Sequence, residues 1–235
     1  MEQKQRLHQV QRIQTSLINA IEKKALVWLA KRQPSWETSD MLTFVGSFGA
    51  FLTGLGFWLT RYDVDWLWLS TVGLVINWYG DSLDGTLARV RNCQRPIYGY
   101  YIDHTVDCVN EAFMFIGAGL SPLVHMNLTL IAYILYLFMT INVSINAHLK
   151  SEFRLTYAKL GPTEFRLLVI LVNILLVAYP ALAFNKFVVV GQSLSLLDLV
   201  TLFIIVLLSV IYIVTIISDA RKYAIIDPLK KSATP

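Results

Sequence analysis

From Met41 to Thr60 the chain carries no charged residue, and about twenty residues at about 1.5 Å rise each cross a hydrocarbon core of about 30 Å. Such a stretch has few options. In lipid every backbone N–H and C=O must find its partner within the segment, so it crosses as a helix. Five further predominantly apolar runs follow, at Trp66 to Leu87, Ile97 to Leu120, Leu123 to Leu149, Leu167 to Phe184 and Leu197 to Ile217. With 55% hydrophobic and 15% charged residues in 235, the composition excludes an ordinary soluble domain. The expected fold is all-α, a polytopic membrane protein of six transmembrane helices.

Three segments are expected. Residues 1–36 form an N-terminal amphipathic segment, 37–220 the six-helix membrane domain, and 221–235 a tail. In the first, Leu17, Ile18, Ile21, Ala25, Trp28 and Leu29 recur at helical spacing while Glu22, Lys23, Lys24, Lys31 and Arg32 face elsewhere. A helix of this pattern lies on a membrane surface or packs on the protein's own cytoplasmic face. Pro34 and Ser35 end it. The segment lacks the form of a cleavable signal peptide. Of the 20 Lys and Arg residues, all but Arg61 and Lys186 fall in the N-terminal segment, the second and fourth connections or the tail. Six spans with both termini cytoplasmic satisfy that bias. A compact chain of this kind suits a bacterial inner membrane. Cys93 and Cys108 have no paired or metal-ligand spacing and are expected as thiols. The glycines of the first run, Gly46, Gly49, Gly54 and Gly56, suit close helix packing. Asn142, Asn146, His148 and Asn173 are expected to hydrogen-bond between helices.

The second and third runs are broken by acids. Asp81, Asp84 and Ala88 share one helical face, and so do Gly99, Asp103 and Asp107, because spacings of three and four keep a face. The first pair ends its run and the second begins the next, so both sit at similar depth on the cytoplasmic side. Four carboxylates at a membrane boundary repel one another unless a strong positive charge compensates them. Oxygen-only ligation suits Mg²⁺, Mn²⁺ or Ca²⁺, and four carboxylates suffice for two ions. A metal pair can clamp the attacking and leaving oxygens of a displacement at phosphorus. Gly85 and Ala88 leave room for a phosphate or a flat base, and Arg89 can pair with phosphate oxygens.

This stretch, Asp81-Ser-Leu-Asp84-Gly85-Thr-Leu-Ala88-Arg89, then Gly99-Tyr-Tyr-Ile-Asp103-His-Thr-Val-Asp107, resembles the signature of the CDP-alcohol phosphatidyltransferases. All eight fixed letters are present. Nine residues, Val90 to Tyr98, separate Arg89 from Gly99 where the usual pattern has about eight, in a connection where an added residue is cheap. Upstream, Pro34 to Thr43 is a loose version of the family's approach to the first helix, with Ser39 and Asp40 in place of its proline and asparagine.

The resemblance implies transfer of a phosphoalcohol or phosphatidyl group from a CDP-linked donor to an acceptor hydroxyl, lipid or small alcohol, with release of CMP. It implies two Mg²⁺ or Mn²⁺ ions on Asp81, Asp84, Asp103 and Asp107, with Asp107 also drawing the proton from the attacking hydroxyl. Gly85, Ala88, Arg89 and Gly99 would hold the nucleotide. Membrane lipids and a second copy of the chain are the expected partners, and nucleic acid is not. Ile102-Asp103-His104 is similar to the choline and ethanolamine branch, which favours a small CDP-alcohol donor and a lipid acceptor. A CDP-diacylglycerol donor with a small polar acceptor is the alternative. His104, Glu164 and Arg166 are head-group candidates, although helix packing and helix-start charge explain them as well. Intramembrane acids also mark cation carriers. Such a path does not require Gly85, Ala88, Arg89 and Gly99 at fixed offsets.

Overall fold

A computed structural model describes residues 11–13, 19–150, 152–154, 162–189 and 191–229; within these, the side chains of 11–13, 19, 20, 148, 150 and 152–154 stand outside the description. Leu17, Ile18, the His148 side chain, Gly161 and the end of the tail therefore lie outside the described residues.

The chain is mostly helical. After a short strand, β1 (Gln11–Ile13), come α1 (Asn19–Ala30), α2 (Ser39–Leu59), a 3₁₀ turn (Val64–Trp66), α3 (Leu67–Val90), α4 (Pro96–Gly119) and α5 (Met126–Lys150). Then follow β2 (Glu152–Arg154), α6 (Pro162–Ala178), α7 (Pro180–Phe184), β3 (Lys186–Val189), β4 (Gln192–Ser195) and α8 (Leu196–Ile226). The all-α expectation misses two small sheets, a parallel β1–β2 pair and an antiparallel β3–β4 hairpin. The hairpin turns at Gly191, whose φ of +78° favours glycine.

By length and apolar composition, α2, α5 and α8 can cross a membrane. Helices α3 and α4 have 24 residues each but carry the acids, and α6 has only 17. The fifth run, expected to continue from Leu167 to Phe184, is instead broken between Ala178 and Pro180. Proline has no N–H to donate and disfavours helix at the residue before it, so Tyr179 leaves the helix and α7 starts anew. The sixth helix runs nine residues past the expected Ile217, because Asp219, Arg221 and Lys222 lower hydropathy without lowering helix propensity much.

Helices α2, α3 and α4 form the tightest part. Gly49 lies so close to α3 that a Cβ there would overlap the backbone N of Asn77, and Gly54 meets Gly117 of α4 in the same way. Asn77 locks the first crossing by donating to the Gly46 carbonyl at 3.0 Å. Asn173 ties α6 to α3 through Ser70 and Thr71. Asn146 ties α5 to α8, donating to Asp219 at 2.9 Å and accepting from the Tyr223 hydroxyl at 2.7 Å. Asn146 and Asn173 thus act between helices, as expected, whereas the Asn142 side chain accepts from Asn146 of its own helix at 3.3 Å and does not bridge.

Helix α1 packs on α3 through Leu26 and Ala30. Its buried acid, Glu22, accepts from Trp78 Nε1 at 2.8 Å and Thr163 Oγ1 at 2.7 Å. The buried face is therefore not the apolar face read from the sequence, because Ile21 and Trp28 are exposed. At the opposite end of the molecule, buried Asp198 takes hydrogen bonds from the His125 ring and from the backbone N–H groups of His125 and Ser195. That knot fixes the start of α8 to the α4–α5 connection.

Candidate active site

The turn between α3 and α4 brings the two acid pairs together. Helix α3 ends with Arg91 N–H on Leu87 O and Cys93 N–H on Ala88 O, both at 3.0 Å. Asn92 sits at φ +52°, the left-handed region that asparagine tolerates at helix ends. Pro96 then opens α4 at its first position, where its missing N–H costs nothing. Only residues 91–95 separate the helices, so the last turns of one lie beside the first turns of the other. Of the nine residues between Arg89 and Gly99, 91–95 make up this connection and the rest belong to the flanking helix turns. Arg91 steadies it by donating to the carbonyls of Gln33, Pro34 and Glu37.

Carboxylate oxygens of Asp81, Asp103 and Asp107 lie within 4.8 Å of one another. Two oxygens on one divalent cation are at most about 4–5 Å apart, so these three lie close enough to share an ion. Asp84 stands differently. Its Oδ2 accepts from Thr43 Oγ1 at 2.7 Å, its Oδ1 from the Gly85 N–H, and its carbonyl from Ser39 Oγ at 3.0 Å. Three of the four expected ligands converge, and the fourth is held beside them by α2.

The nearest positive charge comes from α6. Arg166 donates to Asp81 Oδ2 at 2.5 Å and is largely buried. Arg89 reaches back to Thr86 Oγ1 at 2.9 Å. Arg95 pairs with Asp40 and stacks over Tyr98, and the hydrogen bond it donates to the Asp40 carboxylate raises the pKa of its guanidinium.

The acids open on a cavity of about 1360 Å³, larger than the usual small-molecule site of about 300–1,000 Å³. Gly85, Ala88, Arg89, Gly99, His104 and Arg166 all contribute to its wall, whereas Glu164 does not. A Cβ at Gly99 would meet open space and one at Gly85 would meet only the Arg89 guanidinium, so both positions leave room for a ligand. His104 stacks on Tyr100 and hydrogen-bonds to its carbonyl at 2.9 Å, running along α4. The far wall of the cavity is apolar, built by Phe203, Leu207 and Ile211 of α8 with Met139 and Val143 of α5. No part of the most apolar window of α8 is buried inside the protein.

Sequence reasoning missed three participants. Thr43 and Ser39 fix Asp84 from more than forty residues away, a pairing that no local pattern announces. The Arg166–Asp81 pair joins two residues that were both noticed but not connected. Glu111 lines the cavity one turn beyond Asp107, and the 103–107–111 spacing was there to read.

Comparison with known proteins meets the geometry at the same residues. The chain is 31% identical over 83 residues to a phosphatidylinositol phosphate synthase of Cutibacterium acnes, a match covering 35% of this chain and 38% of that relative. The profile of the CDP-alcohol phosphatidyltransferases matches residues 36–211, from the approach to α2, through both acid pairs and Arg166, and into α8. The chain belongs to the CDP-alcohol phosphatidyltransferase family, whose members act in phospholipid biosynthesis at the membrane.

Proposed function

We propose that the protein transfers a phosphatidyl group from a CDP-linked lipid to a hydroxyl of a small polar acceptor and releases CMP. The observation that carries this reading is the meeting of Asp81, Asp103 and Asp107 at one end of a cavity whose other wall is apolar. One end suits a pyrophosphate with its cations, the other suits acyl chains. The relative's name, phosphatidylinositol phosphate synthase, supports a lipid-linked donor and a polar acceptor. The opposite direction, a small CDP-alcohol passing its phosphoalcohol to a lipid hydroxyl, is the second reading. It is favoured by the Ile102-Asp103-His104 signature, and His104 would then contact the head group.

In the step itself, the acceptor oxygen forms a bond to the donor phosphorus distal to cytidine, and the bond from that phosphorus to the bridging oxygen breaks. CMP leaves with the electron pair. Asp107 takes the proton from the attacking hydroxyl. Asp81, Asp84, Asp103 and Asp107 would hold Mg²⁺ or Mn²⁺, which would supply neutralisation of the pyrophosphate and of the charge passing to CMP. Thr43 orients the Asp84 carboxylate as a partner outside the ligand set. Arg89 pairs with donor phosphates, while Gly85, Ala88 and Gly99 let the nucleotide approach the helices. Six spans, cytoplasmic termini and a cytoplasmic site in a bacterial inner membrane complete the reading, with α1 resting its exposed Ile21 and Trp28 on the membrane surface. The homodimer expected from the family is part of the same proposal.

The test is CMP release in lipid nanodiscs with Mn²⁺, using CDP-diacylglycerol, CDP-choline, CDP-ethanolamine and CDP-glycerol with and without acceptors. Acceptor-dependent CMP from CDP-diacylglycerol is expected. Asp107→Asn should lower turnover by about 10²–10⁴-fold, more severely than it weakens nucleotide binding. Full turnover in that variant would refute the assignment of the base, and CMP from CDP-choline alone would select the second reading.

A further inference from the structure

Helix α5 turns one face outward and one toward the protein. Ile134, Ile141 and Ile145 are exposed, whereas Ala132, Met139, Val143 and Ala147 are buried. Two polar side chains, Tyr136 and Thr140, stand four residues apart on the inward face, and both line the cavity. Elsewhere the small hydroxyls of the helices satisfy themselves. Ser47, Thr53, Thr86 and Ser144 each donate to the carbonyl four residues back. Tyr136 and Thr140 donate to no atom of the described residues. Neither hydroxyl is among the fully buried side-chain atoms left unpaired, so each keeps open surface in the cavity instead of being sealed into the core.

A hydroxyl set in an apolar wall is costly without a partner, and a ligand in this cavity can supply one. The charges of Glu111, Arg166, Asp107 and Asp81 all act on Tyr136, while its ring rests against Phe115, two turns beyond Asp107 on α4. Tyr136 therefore stands where the acid end of the cavity gives way to the apolar end. With the reacting end of a glycerolipid at the acids, its chains lie against the apolar wall of α5 and α8. The groups in between are the two carboxylic esters. An ester carbonyl accepts hydrogen bonds and cannot donate them, so it needs what a free hydroxyl offers. The two esters sit on neighbouring glycerol carbons, and side chains at i and i+4 on a helix are about 5–6 Å apart, so one helix face can serve both.

We infer that Tyr136 and Thr140 are specificity-determining residues, donating hydrogen bonds to the ester carbonyls of a glycerolipid and so selecting ester-linked over ether-linked chains. This rests on the proposed reaction at a glycerolipid and deepens it, and it holds whether the lipid arrives as donor or as acceptor.

The experiment compares wild type, Tyr136→Phe, Thr140→Val and the double variant in nanodiscs with Mn²⁺. The donors are CDP-dioleoylglycerol and its ether analogue CDP-di-O-oleylglycerol, each with glycerol 3-phosphate or myo-inositol 1-phosphate as acceptor. CMP release gives kcat and KM for each donor, and thermal stabilisation by each donor without acceptor gives binding apart from turnover. In wild type the ester donor has the lower KM. Loss of one hydrogen bond between neutral groups raises that KM by about 2- to 10-fold in each single variant and leaves the ether donor unchanged. The double variant treats the two donors alike. Equal KM values for the two donors in wild type overturn the inference. A rise shared by both donors in the variants overturns it too, because a lost phosphate contact or a disturbed fold acts on both. If CMP comes from CDP-choline and from neither CDP-lipid, the proposed direction of transfer fails, and the comparison is read with dioleoylglycerol and di-O-oleylglycerol as acceptors. An ester preference that the variants lose then upholds the role of Tyr136 and Thr140, and its absence overturns it. If no donor gives CMP, thermal stabilisation by the two CDP-lipids decides in the same way.

Discussion

The two sides of the cavity are built on opposite packing rules. On one side α2, α3 and α4 meet through Gly49 against Asn77 and Gly54 against Gly117, with backbones so close that no side chain can intervene. On the other, α8 is held by the Ser195–Asp198–His125 knot, by Tyr212 stacked on Phe138 and by the Asn146–Asp219–Tyr223 tie, while no residue of its most apolar window is fully buried. The close-packed side carries the acids and the bare side carries the apolar wall. The difference shows how one chain meets two demands. Chemistry at phosphorus needs carboxylates held to fractions of an ångström, and a lipid chain needs a wall that yields.

Five substitutions sharpen or break this contrast. The largest effect is expected where α6 meets the acids of the close-packed side. Arg166→Met leaves Asp81 without its partner, which should cost about 3–5 kcal/mol of stability in metal-free protein; Mn²⁺ should restore much of it, as seen by thermal unfolding with and without the ion. Next, Gly49→Val forces a side chain into the α2–α3 crossing and should cost about 3 kcal/mol. Val206→Leu, on the exposed face of α8, should leave the unfolding temperature nearly unchanged. Equal losses at both positions would abolish the distinction between the sides. Thr43→Val removes the hydrogen bond that orients Asp84 and should weaken metal-dependent nucleotide binding by about 10–100-fold, measured by calorimetry, without altering the fold. Apart from Val206→Leu, the smallest effect belongs to Asn146→Leu, which should cost about 0.6–1.7 kcal/mol and raise hydrogen exchange in the last turns of α8 alone.

The acid pairs were legible in the sequence because helical spacing is a local rule and each pair lies within one helix. The turn that joins them was legible too, since Asn92 and Pro96 are local signals. What the sequence hid were the contacts across the chain. Nothing near Asp84 tells that Thr43 will hold its carboxylate, and nothing near Glu22 tells that it will be buried against Trp78 and Thr163. That single burial rotates α1, so Leu26 faces inward where the apolar pattern pointed to Ile21 and Trp28. Pro180 was readable as a break and was overridden by the hydropathy around it. The β3–β4 hairpin was also readable, from Phe187-Val188-Val189 ahead of Gly191, but between two apolar helices it passed for a connection.

The central claim is that the glycine-packed side presents Asp81, Asp103 and Asp107 as one preformed metal site on which nucleotide binding depends. Electron paramagnetic resonance of Mn²⁺, titrated into the purified protein with and without CDP, tests it most directly. The account predicts bound Mn²⁺ whose signal changes on adding CDP, with both the bound ion and the change lost in Asp103→Asn. CDP binding that survives metal removal, or Mn²⁺ binding unaltered by Asp103→Asn, would contradict it.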